Sequence, residues 1–208
     1  MELQDILEKV SALYRKFGIR SITMDDVARE IGISKKTLYL YVTDKTDLVK
    51  RVVEHVGHCN FESLANKYDP EKNAIEDLIE VSIRVNSLMK SYSPSYYYDL
   101  EKYYPDIFRD LMVARRKIMY ESMLENIRKG KNEGLYRNEL DEEIIAKLHL
   151  LRIENLQENE IFSEEEIRST KFFREMFVYH IRGLATDKGI RVLNENIKKL
   201  NHTVHQST

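Results

Sequence analysis

Only one cysteine, Cys59, stands in the chain, so no internal disulfide can brace it, and this usage fits a reducing compartment. Three prolines and seven glycines in 208 residues leave few places where a helix must end, which predicts long uninterrupted helices. An excess of charge is missing as well. At a formal net charge of −2 the chain has no general affinity for polyanions, so any nucleic-acid contact has to be local. No apolar run approaches the roughly 18 to 20 residues that span a bilayer. The opening MELQDILEKV is acidic and amphipathic, unlike a signal peptide. The expected location is the cytoplasm.

What is present is a composition that is 42% hydrophobic and 33% charged, which describes a globular protein with surface ion pairs and not a disordered one. The length suffices for one large or two small domains with cores of their own. Leu3, Ile6, Leu7, Val10, Leu13, Tyr14 and Phe17 recur at three- and four-residue steps, an amphipathic helix that Gly18 ends. The next stretch, TMDDVAREIGISKKTLYLYVTDK from Thr23 to Lys45, reads as two short helices joined by a tight turn. Thr23 caps the first with Asp26 closing a capping box, Gly32 turns left-handed, and Ser34 caps a second helix filled by Thr37, Leu38, Tyr39 and Tyr41. Small Ala28 permits close approach, and Val27, Ile31, Ile33 and Leu38 supply the buried face that a helix-turn-helix requires.

Further along, a helix is expected from about Thr46 until Asp69-Pro70, another from about Glu71 to Lys90, and a short tyrosine-dense one over 95–104. Pro105 opens a helix to about Lys131, and others cover Glu142 to about Asn155, Ser169 to Thr186 and Asp187 to about Asn201; NEIFSEEE is a loop with Ser163 as a cap. The fold class is all-α: an amino-terminal three-helix, homeodomain-like helix-turn-helix unit over 1–50, a larger helical domain over 51–201 for ligand binding and dimerisation, and a frayed tail over 202–208.

The amino-terminal 55 residues resemble the DNA-binding domain of TetR-family transcriptional regulators. The resemblance rests on Gly18-Ile19, Thr23 to Ala28, Ile31-Gly32-Ile33-Ser34, Thr37-Leu38-Tyr39-x-Tyr41, and Lys45 before Asp47-Leu48. The remainder matches in architecture, through Gly130-x-x-x-Gly134-Leu135 and Arg182-Gly183-Leu184-Ala185-Thr186. Val42 stands where the family usually has Phe, and Thr46 where it often has Glu. The resemblance implies a homodimeric repressor that binds double-stranded, palindromic operator DNA and is released by a small-molecule effector. It makes Lys36 and Thr37 base-edge readers and Tyr39, Tyr41 and Lys45 phosphate contacts, with Thr23 and Ser34 donating near helix starts.

The residue chemistry is consistent with that assignment. From Ile33 to Arg51 the cations Lys35, Lys36, Lys45, Lys50 and Arg51 face only Asp44 and Asp47, a local basic excess to which Lys35 belongs. Lysine donates to guanine, a threonine methyl meets thymine, and a tyrosine hydroxyl reaches phosphate. The plainer reading, two core tyrosines and solvated lysines, is disfavoured because Leu38 already occupies the inward position. A single unit of this size binds weakly, whereas two spaced ~34 Å apart gain specificity. For that dimer, Ile144, Ile145, Leu148 and Leu151 with Phe173, Met176, Phe177, His180 and Leu184 offer more apolar area than one core needs, and would pack as a four-helix bundle.

Six of the thirteen tyrosines fall between Tyr92 and Tyr104. Tyr96 and Tyr97, with Met89, Met112, Tyr120 and Met123, are candidate lining for an apolar or amphipathic effector, and His149 and Arg152 a candidate polar anchor. Two other readings are a helical protein-interaction module that has lost DNA reading, and a metal sensor through His55, His58 and Cys59. Ligands on one helical turn cannot surround an ion tetrahedrally, so no metal or other cofactor is expected. No nucleophile-base pair, phosphate loop or paired catalytic carboxylates stand out, so no enzyme is expected. No membrane partner is expected either.

Overall fold

The computed structural model describes residues 2–65, 69, 71–154 and 161–197, so the tail expected at 202–208 lies outside the described residues. The helices are α1 (Leu3–Phe17), α2 (Met24–Ile31), α3 (Lys35–Leu38), α4 (Lys45–Ala65), α5 (Ala74–Lys90), α6 (Pro94–Tyr103), α7 (Pro105–Asn132), α8 (Glu142–Glu154), α9 (Glu164–Arg168), α10 (Thr170–Leu184) and α11 (Asp187–Asn196). The protein is all-α. Among the described residues the extended pairing is one isolated bridge between Tyr136 and Ala185. None of the described helices is long and apolar enough to cross a membrane.

Three elements differ from the sequence reading. The second helix of the helix-turn-helix keeps helical form only to Leu38; the bonds Leu40 N to Thr37 O and Tyr41 N to Leu38 O tighten the following residues into turns. Helix α5 begins at Ala74, because Asn73 Oδ1 accepts from the backbone of Ile75 and Glu76, both at 3.1 Å, and holds 71–73 as a cap and turn. The stretch read as a loop around Ser163 contains α9, closed by a capping box between Ser163 and Glu166.

The chain divides into two compact units: Met1–Ser63 with Met89–Arg115, and Leu64–Leu88 with Arg116–Thr208. In the first, Ile6, Leu7, Val10 and Tyr14 put one face of α1 into a core with Val27, Ile31, Leu38, Leu48 and Val52. Helix α6 lies against α1. Ser93 N donates to Arg15 O at 2.8 Å, and the carboxylate of buried Asp99 accepts from Arg20 N at 2.8 Å, fixing the α1–α2 loop.

The second unit is built on Ile75, Ile79, Met123, Ile127, Tyr136, Phe177, Ile181, Leu184 and Leu193. Its tightest point is Gly130 near the end of α7. A Cβ there would stand 2.1 Å from a ring carbon of Tyr136, so only glycine lets the ring lie flat on the helix. The buried Tyr136 hydroxyl then donates to Asn126 Oδ1 at 3.1 Å, and Asn126 Nδ2 donates to Ala74 O at 2.8 Å. Lys129 Nζ adds a 2.5 Å bond to the buried carboxylate of Asp77.

Gly130→Ala forces that ring away and loosens the whole chain of bonds. The expected loss is about 1–3 kcal/mol of unfolding free energy, read from urea unfolding; a midpoint unchanged from wild type contradicts this account of the packing.

Candidate nucleic-acid interface

Helix α2 starts as its sequence prescribes. Asp26 N donates to Thr23 Oγ1 at 3.1 Å and Thr23 N donates to Asp26 Oδ2 at 3.0 Å, a reciprocal capping box. The Thr23 hydroxyl and backbone bonds hold the Asp26 carboxyl below the usual carboxylate range. Gly32 ends the helix at φ 80° and ψ 33°, the left-handed conformation that favours glycine, and Ile33 N returns to Ala28 O at 3.0 Å. Ser34 caps α3 by accepting from Thr37 N at 3.0 Å, and the hydroxyls of Ser34 and Thr37 lie 2.7 Å apart. With Leu38 fully buried, α3 has a single possible rotation about its axis.

That rotation decides what faces outward. Lys36 is exposed, Thr37 is half-buried, and Tyr39 projects to solvent while Tyr41 is half-buried. Since the Thr37 hydroxyl is engaged by Ser34, the methyl is its freer recognition surface. Lys35 donates to Asp25 at 3.0 Å, and that bond raises its pKa. Lys35 is therefore tied to α2 by an exposed pair of small energetic value. Lys45 is half-buried and donates to Arg20 O at 3.3 Å; burial lowers its pKa, opposed by the charges of Asp99 and Asp26. Leu40, which the sequence reading passed over, is 79% exposed beside Tyr39. A large apolar residue two positions after an inward leucine, with no inward slot left, is the signal that points to it.

The candidate effector residues fall four to each unit. In the first, Tyr96 and Tyr97 meet edge to face at 5.3 Å, and Tyr92 packs on Tyr96 at 4.7 Å. Burial raises the Tyr97 phenol to about 12. Met112 is half-buried, and the side chain of Met89 lies outside the described residues. In the second unit Met123 is part of the core with Tyr120 packed against it. His149 and Arg152 are brought together there. Arg152 donates to Met176 O at 2.9 Å and its Nη2 lies 3.1 Å from His149 Nδ1, while His149 Nδ1 and His180 Nε2 are 3.2 Å apart. Burial lowers His149 to about 3 and His180 to about 2, and lowers Arg152 to about 10. Both histidines are therefore neutral near pH 7, and among the described residues the solvent-shielded Arg152 Nε meets no hydrogen-bond partner.

Of the candidate interface residues, Ile144, Leu148 and Leu151 form an outward row on α8, exposed by 55%, 52% and 55%. Ile145 and Phe173 pack against the core of their own unit, Phe177 and Leu184 lie inside it, and Met176 and His180 are half-buried. The outward aromatic residue of α10 is Tyr179, 83% exposed and absent from the sequence reading. Of the metal-sensor residues, His55 Nε2 lies 3.9 Å from a carboxylate oxygen of Glu8, and the side chains of His58 and Cys59 lie outside the described residues. Among the described residues no group of three or more ligating side chains forms a metal site.

A doubly capped helix-turn-helix with an outward Lys-Thr-Tyr surface, followed by a helical second unit, defines a helix-turn-helix transcriptional regulator. Residues 6–52 match the family described as bacterial regulatory proteins, tetR family. A helix-turn-helix-type transcriptional regulator of Staphylococcus aureus strain USA300 is 25% identical over 144 residues, covering 60% of this chain and 76% of the relative. A TetR-family regulator from Marinobacter aquaeolei shares the fold at TM-score 0.69 and 19% identity, over 96% of this chain and 99% of the other. CprB from Streptomyces coelicolor, solved with its biological operator sequence, shares it at TM-score 0.63 and 16% identity, over 94% of each. The helix-turn-helix unit, over residues 6–52, is thus of the TetR-family type.

The histidine pair makes stability depend on pH with a definite sign. The folded pKa values lie below the unfolded value near 6.5, so the unfolded chain takes up protons that the folded chain refuses. Stability is complete above that value and declines as pH falls below it toward the folded values of about 3 and 2. At about pH 5.5 the loss is roughly 1 kcal/mol for each histidine. Thermal unfolding across this range should flatten in His149→Gln/His180→Gln; an equal slope in the variant excludes the pair as its source.

Proposed function

We propose that this regulator is a repressor that binds a palindromic operator as a homodimer and is released by a small apolar or amphipathic effector. The observation that carries the DNA-reading part is the single rotation that Leu38 and Ser34 allow α3, because it presents Lys36, Thr37, Tyr39 and Leu40 together. Lys36 and Thr37 read base edges, with Leu40 adding apolar contact to thymine methyls. Tyr39, Tyr41 and Lys45 hold phosphates, with Thr23 and Ser34 at the helix starts. Lys35 assists through its charge while paired with Asp25.

The homodimer is supported by the apolar row Ile144, Leu148 and Leu151 and by Tyr179, which stand exposed among the described residues. Two copies of α8 and α10 cover them as a four-helix bundle. In the effector reading, the half-buried guanidinium of Arg152, which meets the carbonyl of Met176 and the ring of His149, anchors an electron-rich group within the second unit. Release requires that the effector favour the DNA-incompetent state; a ~100-fold preference supplies about 2.7 kcal/mol.

Binding to duplexes selected from a random library tests the assignments. Thr37→Ala should lose discrimination between sites, by about 1–3 kcal/mol at one base pair, whereas Lys45→Ala should weaken all sites alike and reduce the salt slope by about 1. The same change in both variants contradicts the roles given. Leu148→Asp should convert the dimer to a folded monomer in light scattering and weaken operator binding; an intact dimer would move the interface elsewhere.

A further inference from the structure

Arg20, in the α1–α2 loop, and Lys102, on α6, lie exposed in the same unit, and among the described residues the charged groups of both side chains meet tyrosine and not carboxylate. The Arg20 guanidinium carbon stands 4.5 Å from the Tyr103 ring centroid, and the group donates to the Tyr103 hydroxyl. Lys102 Nζ lies 5.0 Å from the Tyr98 ring and 5.6 Å from the Tyr103 ring, and donates to the Tyr98 hydroxyl at 2.6 Å. Two like charges thus sit on the Tyr103 ring at the exposed surface, where an anion placed over them would relieve their repulsion. The row continues through the backbone: Arg20 O accepts from Lys45 Nζ at 3.3 Å, and Arg20 N is held by the buried carboxylate of Asp99.

A tyrosine ring attracts a cation through its quadrupole but carries no formal charge, so the positive field of a stacked cation persists beyond the ring. A carboxylate would have cancelled it. The rings also pre-order two long side chains, reducing the entropy lost when they are fixed against a partner. The geometry points to Tyr98, Lys102, Tyr103 and Arg20 as a second phosphate-contacting strip, which seats the sugar-phosphate backbone of duplex DNA flanking the base pairs that α3 reads. The strip carries no sequence information; it lengthens the footprint and fixes register. It rests on the reading that the neighbouring Lys45 meets DNA.

The test uses the full chain and two duplexes: a core selected from a random library, and that core extended by about ten base pairs on each side. Wild type should bind the extended duplex more tightly. Arg20→Gln/Lys102→Gln should lose that gain, keep its affinity for the core within a factor of about three, and show a salt slope smaller by about 2 per bound protomer on the extended duplex. Arg20→Lys/Lys102→Arg keeps both charges and should keep both the gain and the slope. A glutamine variant that still gains from the flanks overturns the proposal. So does a charge-preserving variant that loses the gain, because the effect is then structural. If the wild type enriches no duplex at all, the underlying DNA-binding reading fails; if Lys45→Ala weakens the core while the glutamine pair changes nothing, only the flanking strip fails.

Discussion

Leu38 is the side chain on which the amino-terminal surface depends. It sits in a helix of four residues, too short to hold its own orientation, and its complete burial sets which neighbours turn outward. Ser34 fixes the start of that helix and Gly32 fixes the direction from which the chain arrives. Gly32 touches no ligand itself, and Ser34 is first of all a cap. Together they convert an unremarkable run of lysines and tyrosines into a surface with one geometry, and the basic excess becomes useful only because it is presented on that surface.

The capped parts of this architecture were legible because capping is local chemistry. Thr23 with Asp26, Gly32 and Ser34 each act within a few residues, so their sequence spacing already contains their geometry. The length of α3 was not legible, since Tyr39, Leu40 and Tyr41 have no property that forbids helix; the tightening after Leu38 comes from how the turn meets the core. Helix α9 was missed because a capping serine before three glutamates reads equally well as the edge of a loop. The pair between Lys35 and Asp25 joins residues ten positions apart on different helices, which no local pattern reports.

The second unit shows a different limit. Its helix α8 is apolar on more than one face, so periodicity alone cannot say which face belongs to the protomer. Ala146 and Leu150 point inward, and Ile144, Leu148 and Leu151 point outward. On α10 the same ambiguity ran the other way. Phe177 and Leu184 look like surplus in the sequence, yet they complete the core with Ile181, and the outward position falls to Tyr179. The assembly of His149, His180 and Arg152 was visible only as isolated polar residues, because it joins two helices about thirty residues apart in the chain.

The four-residue length of α3 has a consequence for how such a protein fails. Helix nucleation is unfavourable, and a segment this short has no helical stability of its own in water. Its shape is borrowed from the body it packs on, where α2 is its main helical neighbour. DNA recognition is therefore not a property that can decay gradually at the surface while its scaffold stands, nor survive once the scaffold opens. The reader and its support are expected to melt as one body, so that, while the dimer holds, the loss of recognition serves as a thermometer for the amino-terminal unit.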